Sequence, residues 1–573
     1  MSRIRQVSIR RFRGIAELDW APRPGLNAIL GAGDVGKSSV LDAIALVLSA
    51  TRREVFYDTD FLRLDADAGF EIRVTLGELP VELHDIERYG DYLRGWSEAD
   101  ATLEDEPSAS RQDVLTLRLS VGPDLEGHWS LYSDRTQHLE GRDLSLPHRA
   151  LVAPVVLDQL PATHLRWARQ SILQRLAEPQ FAVRSLVARA ARGLREQAGD
   201  AGADAAVTAV LDQVRARARE LGIRPAQEAQ VLLDAFGIPG WNASLALHDG
   251  DGVPLRRLGT GSSRLLVAGL FHSRLSPTGI AVVDEAEFGL EPHRIARFLR
   301  LLGAGVDDGP QVFLTTHSPV VVRELRSHEL AIAHYDVDSR THGIANVADI
   351  ETGLDTQGLV RRNAEAFLAA AVIVAEGPTE VGLVRGLDHF WVGLDQNPLA
   401  LEGIDIADGG GIPQAAARAS AFAKLGYRTL LLMDDDRPLT PMERVPVDRE
   451  GASIVSWGNG QATEDALFLG LDWPDVLALL AIAEQIWTEG RLNESLRSYS
   501  NGHLDLATCR AADLPAHRVL FARTAKGQDW FKRLDFGERV GQEILGPGSE
   551  RASPTLQATV NAIYRWTRGG QDG

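Results

Sequence analysis

The opening part of the chain alternates apolar and polar positions with period two, as in FEIRVTLGEL (70–79) and VLTLRLSVG (114–122), with Gly, Pro and Asp turns between. That period predicts short, half-buried strands over 1–162. The pattern changes over 163–240. There Leu173 and Leu176, then Leu186, Val187, Ala190 and Ala191, then Val207, Val210, Leu211 and Val214 recur at helical spacing in Ala-, Leu-, Arg- and Glu-rich sequence. This predicts helices forming an inserted hairpin or small bundle. Strand-like sequence resumes near 243 and fills 241–350. A second regime covers 351–573: the apolar runs AAVIVAEG, GIDIADGG, RTLLLMDDD and GASIVSW alternate with helical TEVGLVRGLDHFW and IPQAAARASAFAKLG. Strands alternating with helices predict a parallel sheet flanked by helices. The fold class expected is therefore α/β throughout, in several domains.

Bulk properties narrow this reading. The 573 residues exceed what one hydrophobic core serves, and the 44% hydrophobic and 24% charged content is that of soluble globular protein. Uninterrupted apolar runs of about 18 residues are missing, so no membrane span is expected. MSRIRQVSIRRFRG is basic but lacks the apolar core of a signal peptide, and a cytoplasmic location is the expectation. The single cysteine, Cys509, excludes a disulfide framework and argues against a cysteine-based zinc site. The net charge of −19 argues against a generally basic nucleic-acid coat, while leaving room for local patches such as Arg3–Arg13.

Two motif sets carry chemistry. The first begins at Gly31-Ala-Gly33-Asp-Val-Gly36-Lys37-Ser38, a phosphate-binding loop pattern between the apolar strand LNAIL and the amphipathic helix SSVLDAIALVLS, with Ser39 next in line. Glycines let backbone N–H groups turn toward phosphate, Lys37 reaches the β- and γ-phosphates, and the Ser38 hydroxyl suits Mg²⁺. GIAVVDEAEFGLEPHR then supplies a second acidic strand end. Asp284 is the expected Mg²⁺ ligand and Glu285 the group that orients an attacking water. VFLTTHSP ends a further apolar strand at His317, and Leu258-Gly-Thr-Gly-Ser-Ser-Arg264 precedes the acidic strand. In this order, the four segments resemble the Walker A, signature, Walker B and switch-histidine segments of ABC ATPases, although the signature is degenerate. ATP with Mg²⁺ is the ligand expected.

The second set is acidic. Glu376-Gly-Pro-Thr-Glu380 follows the strand VIVA, Asp408-Gly-Gly-Gly follows the next, and Asp434-Asp435-Asp436 ends the third. In an open α/β sheet, sites form at the carboxyl ends of strands. Clustered carboxylates need a counter-charge, for which Mg²⁺ or Mn²⁺ is suited, and two such ions serve phosphodiester hydrolysis. Glu464 in ATEDALF is a candidate further ligand. In TAKGQDWFKR, Lys526 or Lys532 is a candidate cation for the charge that develops on phosphate.

Glu376, Asp434 and Asp436 match the Toprim pattern of a glutamate after the first strand and D-x-D after the third. An ABC-type ATPase followed by a Toprim domain resembles the OLD (overcoming lysogenization defect) family of nucleases. The Glu376-x-x-x-Glu380 pair, Glu464 and the late lysine are most similar to its two-metal subgroup, which includes the Gabija antiphage nuclease. The resemblance implies a DNA endonuclease with Glu376, Asp434, Asp436 and Lys526 catalytic and Glu376, Glu380, Asp408, Asp434, Asp436 and Glu464 holding metal. It also implies ATP control, dimers or larger homo-oligomers assembled through the helical insertion, a helicase-like partner, and a role in antiphage defence or DNA repair. The alternative is an ATPase sensor or scaffold whose Toprim domain binds nucleic acid or a partner without cutting. A topoisomerase is disfavoured, since none of the 8 tyrosines has a recognisable nucleophile setting, and a zinc-bearing primase by the lone cysteine.

Overall fold

Period-two alternation becomes sheet from the first residues onward. The computed structural model describes residues 2–51, 54–136, 141–157, 164–165, 171–173, 205–234, 244–275, 279–307, 309–336, 340–350 and 354–569. They fall into two units, Met1–Ala348 and Asp349–Gly573.

In the first unit, β1 (Arg3–Phe12), β2 (Ile15–Trp20), β4 (Phe70–Gly77), β5 (Leu93–Ser97), β6 (Thr102–Glu104), β7 (Gln112–Val121) and β8 (Gly127–Tyr132) form an antiparallel sheet. Its order is β2–β1–β4–β7–β5–β6, with β8 on β7. Val7, Ile9, Ile72, Val74, Leu117 and Leu119 face inward. They share a core with Val40, Leu41, Ile44 and Val47 of the helix Lys37–Val47, which is why that helix's apolar stripe is needed.

The second sheet contains β3 (Leu26–Leu30), β9 (Val155–Leu157), β12 (Ile280–Val283), β13 (Gln311–Thr315), β14 (Leu330–Asp336) and β15 (Thr341–Asn346), in the order β15–β14–β3–β13–β12–β9. Its pairings are parallel except for the terminal β14–β15 hairpin. The central strands β3, β12 and β13 are buried along their length, as parallel strands covered on both faces are. Buried Gln311 ties the sheets together. Its amide accepts from Ile4 N–H (2.7 Å) and donates to the Ile4 carbonyl (3.0 Å).

Most of the segment 163–204 lies outside the described residues. Within 205–240 the helix Ala205–Leu221 follows the helical spacing read there. The expectation of helix up to residue 240 needs correction: β10 (Gln230–Asp234) pairs antiparallel with β11 (Ser244–His248). The short run QVLLD is too brief for its period to separate strand from helix end, and cross-strand pairing decides it.

The second unit is built on β16 (Ala371–Ala375), β17 (Ile404–Asp408), β18 (Arg428–Met433) and β19 (Ser453–Ser456), all parallel, in the order β17–β16–β18–β19. Glu376, Asp408 and Asp434 thus leave β16, β17 and β18 at the same edge. The helix Pro378–Val392 is held against Leu534–Val540 by matched glycines. A Cβ built on Gly386 would stand 2.1 Å from the Glu538 carbonyl oxygen, and one on Gly537 would stand 2.4 Å from that of Thr379. Only glycine allows this approach, and it fixes the helix that carries Glu380. Among the described residues, no helix is long and apolar enough to cross a membrane.

Candidate functional site

In the first unit, β3 runs directly into the glycine-rich loop and the helix Lys37–Val47. Gly31 takes φ +132°, and a Cβ there would lie 2.3 Å from the Ala333 carbonyl oxygen, so the loop's first turn requires glycine. Gly36 caps the helix in the left-handed region at φ +82°. Lys37 is 5% exposed, and its ammonium donates to the Gly31 (2.9 Å) and Ala32 (2.6 Å) carbonyls. Burial pushes its pKa down, with Asp34 and Asp284 opposing.

The acidic strand meets this loop. Ser38 Oγ donates to Asp284 Oδ1 at 3.1 Å, and the Thr315 hydroxyl donates to the same oxygen. Thr315 Oγ1 also accepts from Glu285 N–H at 2.9 Å, so β13 fixes the turn after β12. Glu285 sits at φ +48°, a left-handed conformation that aims this residue out of the strand line. Glu287 accepts from the Thr316 hydroxyl (2.6 Å) and His317 N–H (2.7 Å), holding His317 in place on an exposed turn.

The Gly/Ser segment before β12 starts the helix Thr260–Leu275. Arg264 is 2% exposed and donates to the carbonyls of Glu285 (2.9 Å), Phe288 (2.8 Å) and Asp284 (3.3 Å). A Cβ on Gly261 would stand 2.4 Å from the Gly289 carbonyl oxygen. The segment is therefore packed onto the turn that follows Asp284 and Glu285. Thr315, Glu287 and the anchoring role of Arg264 were missed in the sequence. The doubled threonine of TTHSP and the second glutamate of DEAE were the available signals.

In the second unit, Glu376 N–H extends the β16–β18 ladder to the Leu432 carbonyl (2.9 Å), and Glu376 Oε2 accepts from Asp434 N–H (2.9 Å). Asp434 Oδ1 accepts from Thr463 N–H (2.9 Å) and from its hydroxyl (2.8 Å). That hydroxyl is also 2.6 Å from Glu380 Oε1. A hydroxyl has one proton to give. Burial, aided by Asp434, pushes the Glu380 carboxyl up to about 8. The Thr463 hydroxyl therefore bridges the Glu380 and Asp434 carboxyl groups and can give its one proton to only one of them at a time. The second Glu380 oxygen accepts from Gly377 N–H at 3.0 Å, the cap of its own helix.

Glu464 is 5% exposed, and burial, with Asp434 adding, pushes it up to about 7. Burial also raises Asp434, with Asp436 adding, and raises Glu376, with Asp434 and Asp436 adding. Lys526 pairs with Asp436, which raises the lysine further. Lys532 pairs with Asp529 at 2.6 Å, while Glu464 and Asp434 also act on it. Asp435, between the two candidate ligands, is structural: its Oδ2 accepts from Gly460 N–H at 2.7 Å. Asp408 is exposed. Its side chain accepts from Gly410 N–H (2.9 Å), and its carbonyl accepts from Arg418 (2.6 Å).

The structure therefore links Glu376, Glu380 and Asp434 through hydrogen bonds, and places Glu464 and Lys526 within electrostatic reach of Asp434. It shows no such link for Asp408. As a donor set, an oxygen-only cluster of mutually destabilised carboxyls matches a hard divalent cation. The side chains do not close around one, however. Among the described residues, no group of three or more His, Cys, Asp or Glu is disposed to hold a metal ion. Thr463, the bridge, escaped the sequence reading. It reads there as an ordinary residue at a helix start.

A phosphate loop, an acidic strand end bonded to its serine, and a neighbouring strand that orients the glutamate make the first unit a P-loop ATPase domain. The family model described as "AAA domain, putative AbiEii toxin, Type IV TA system" matches residues 155–323, a segment that holds the acidic strand and His317 but not the phosphate loop. No curated protein matches the chain. Among solved structures, it is similar to the "SMC head domain from Thermotoga maritima" at 12% identity and TM-score 0.31, covering 60% of this chain and 98% of that one. It is likewise similar to an Smc head domain with an extended coiled coil bound to the C-terminal domain of ScpA, from Pyrococcus furiosus, at 13% identity and TM-score 0.36, covering 60% and 96%.

Proposed function

We propose that the chain is a nucleotide-controlled, divalent-metal-dependent DNA endonuclease of the OLD type, with an ABC-type ATPase unit and a Toprim nuclease unit. The observation that carries this reading is the cluster of buried Glu380 and Glu464 with half-buried Glu376 and Asp434, each raised by burial and by neighbouring carboxylates, beside the carboxyl ends of parallel strands. Such an excess of buried negative charge is costly unless a cation neutralises it. Mg²⁺ or Mn²⁺ held there, with Asp436 and Asp408 as the further ligands the family resemblance implies, would supply an activated water and stabilise the leaving oxygen of a phosphodiester.

The chain's own groups do the positioning. Glu376 and Asp434 are fixed at strand ends by backbone bonds, Thr463 aims Asp434, and Lys526 or Lys532 offers a cation to the charge that develops on the phosphate. In the ATPase unit, Lys37 and the loop amides take the phosphates. Ser38 and Asp284 hold the accompanying Mg²⁺, Glu285 orients water, and His317 senses the γ-phosphate. DNA is the substrate, and homodimers or larger assemblies, with a helicase-like partner in a cytoplasmic antiphage or repair system, complete the reading by family analogy.

One observation favours a second reading, an ATPase sensor or scaffold that binds without cutting: among the described residues, no three of these side chains are grouped as a metal ion would need. A supercoiled-plasmid assay with Mg²⁺, Mn²⁺ or EDTA separates the two. The nuclease reading predicts nicking or linearisation in the metal lanes only, lost in Asp434→Ala. Intact plasmid in every wild-type lane turns the choice to the scaffold.

A further inference from the structure

Beside the phosphate loop, the β14–β15 hairpin presents two rings that the phosphate chemistry leaves unused. The register sets Tyr335 opposite His342, and their centroids are 4.8 Å apart with planes inclined at 50°. Side chains alternate along a strand, so this pair shares the face of Ala331, Ala333 and Ile344. That face packs into the core formed with the helix Lys37–Val47. The two rings continue the edge of that core toward the loop. A Cβ built on Gly36 would lie 3.9 Å from His342 Cδ2 and 3.1 Å from Ile15 Cγ1. Ile15 is fully buried, whereas Tyr335 is 42% exposed. The platform is thus open on its outer side and walled on the inner.

His342 Nδ1 is buried and has no hydrogen-bond partner among the described residues. A buried ring nitrogen in that state is unfavourable until something supplies its partner. Burial, then neighbouring His334, holds the imidazole below its ordinary pKa, so it is neutral at pH 7 and offers one donor and one acceptor. Flat, neutral rings with one unmet polar atom, next to a loop built for phosphate, suit an aromatic heterocycle joined to a phosphate chain.

We propose that Tyr335 and His342 form the seat for the base of the nucleoside triphosphate whose phosphates lie in the loop Gly31–Ser38. The rings stack on the base, and a His342 nitrogen hydrogen-bonds its edge. This rests on the phosphate-loop reading and adds base recognition to it.

The test compares binding of Mg²⁺–ATP with that of Mg²⁺–tripolyphosphate, which has no base, by calorimetry on the full chain. The wild type should bind ATP more tightly than tripolyphosphate. His342→Ala and Tyr335→Ala should each lower ATP affinity about tenfold and leave tripolyphosphate unchanged. His342→Phe, which keeps the stacking ring, should recover part of the loss. Lys37→Ala should lose both ligands. Unchanged ATP affinity in both ring variants, with tripolyphosphate still bound, overturns the base seat and leaves the phosphate loop standing. Equal loss of both ligands in His342→Ala places that residue in the loop's architecture and also overturns the seat. Wild-type protein that binds neither ligand removes both readings.

Discussion

The Ser38 hydroxyl donates to Asp284 Oδ1 across 3.1 Å, joining the first turn of the phosphate-loop helix to the end of β12. The two residues are far apart in sequence, and parallel pairing through β13 sets them side by side. This is the pair a nucleotide's Mg²⁺ requires, since one hydroxyl and one carboxylate oxygen can share a hard cation. Lys37→Ala is expected to abolish ATP binding, measured by calorimetry, while leaving the melting temperature near that of the wild type. Burial lowers the pKa of its ammonium, so removing it relieves a buried charge, which offsets the loss of its two hydrogen bonds to the loop carbonyls of Gly31 and Ala32. Nucleotide affinity equal to wild type in this variant sinks the assignment.

Metal-free stability should fall as pH rises from about 5 to 8. Unfolded glutamates ionise near pH ~4.3, whereas native Glu380 keeps its proton to about 8 and native Glu464 to about 7. Across that window the folded state binds more protons than the unfolded chain. The stabilisation is therefore full at the acid end and lost as pH passes the folded values. Thermal melts in EDTA should show this decline, and Glu380→Gln should flatten it. Mn²⁺ should reverse it at pH 8, because a bound cation favours the ionised carboxylates. A flat profile for the wild type contradicts the burial of these acids.

Thr463→Val should cost about 1–3 kcal/mol in urea denaturation, the range for leaving buried polar partners unsatisfied. The hydroxyl serves two carboxyl groups, so the loss should exceed that of an ordinary surface threonine. Thr463→Ser should restore most of it. Equal stability of the valine and serine variants would show that the bridge is not formed.

Gly386→Ala should destabilise the second unit by about 1–3 kcal/mol, since its Cβ would sit 2.1 Å from a backbone oxygen that cannot swing aside. Urea unfolding monitored by tryptophan fluorescence reads this directly, as Trp391 and Trp530 belong to that core. A neutral result means that the helix carrying Glu380 packs more loosely than its glycines indicate.

The strands and the phosphate loop were legible because each rests on local pattern. IAVV and VIVA are continuous apolar runs, LNAIL is apolar but for Asn27, and the loop's glycines are fixed by spacing. What the sequence hid was long-range. Thr463 meets Glu380 and Asp434 only after the helix start Thr463–Gly470 is brought to the ends of β16 and β18. Thr315 and Glu287 act across strands in the same way. Asp435, between the candidate ligands Asp434 and Asp436, goes to a loop amide, and Asp436 pairs with Lys526, partners that spacing alone does not foretell.

The most direct test of the whole account is plasmid cleavage by wild type, Asp434→Ala and Lys37→Ala, in Mn²⁺ or Mg²⁺, with and without ATP. The account predicts metal-dependent cutting by wild type that ATP changes in rate, no cutting by Asp434→Ala in any lane, and cutting by Lys37→Ala that is indifferent to ATP. Cleavage by Asp434→Ala at the wild-type rate, or no cleavage by wild type under any of these conditions, would contradict it.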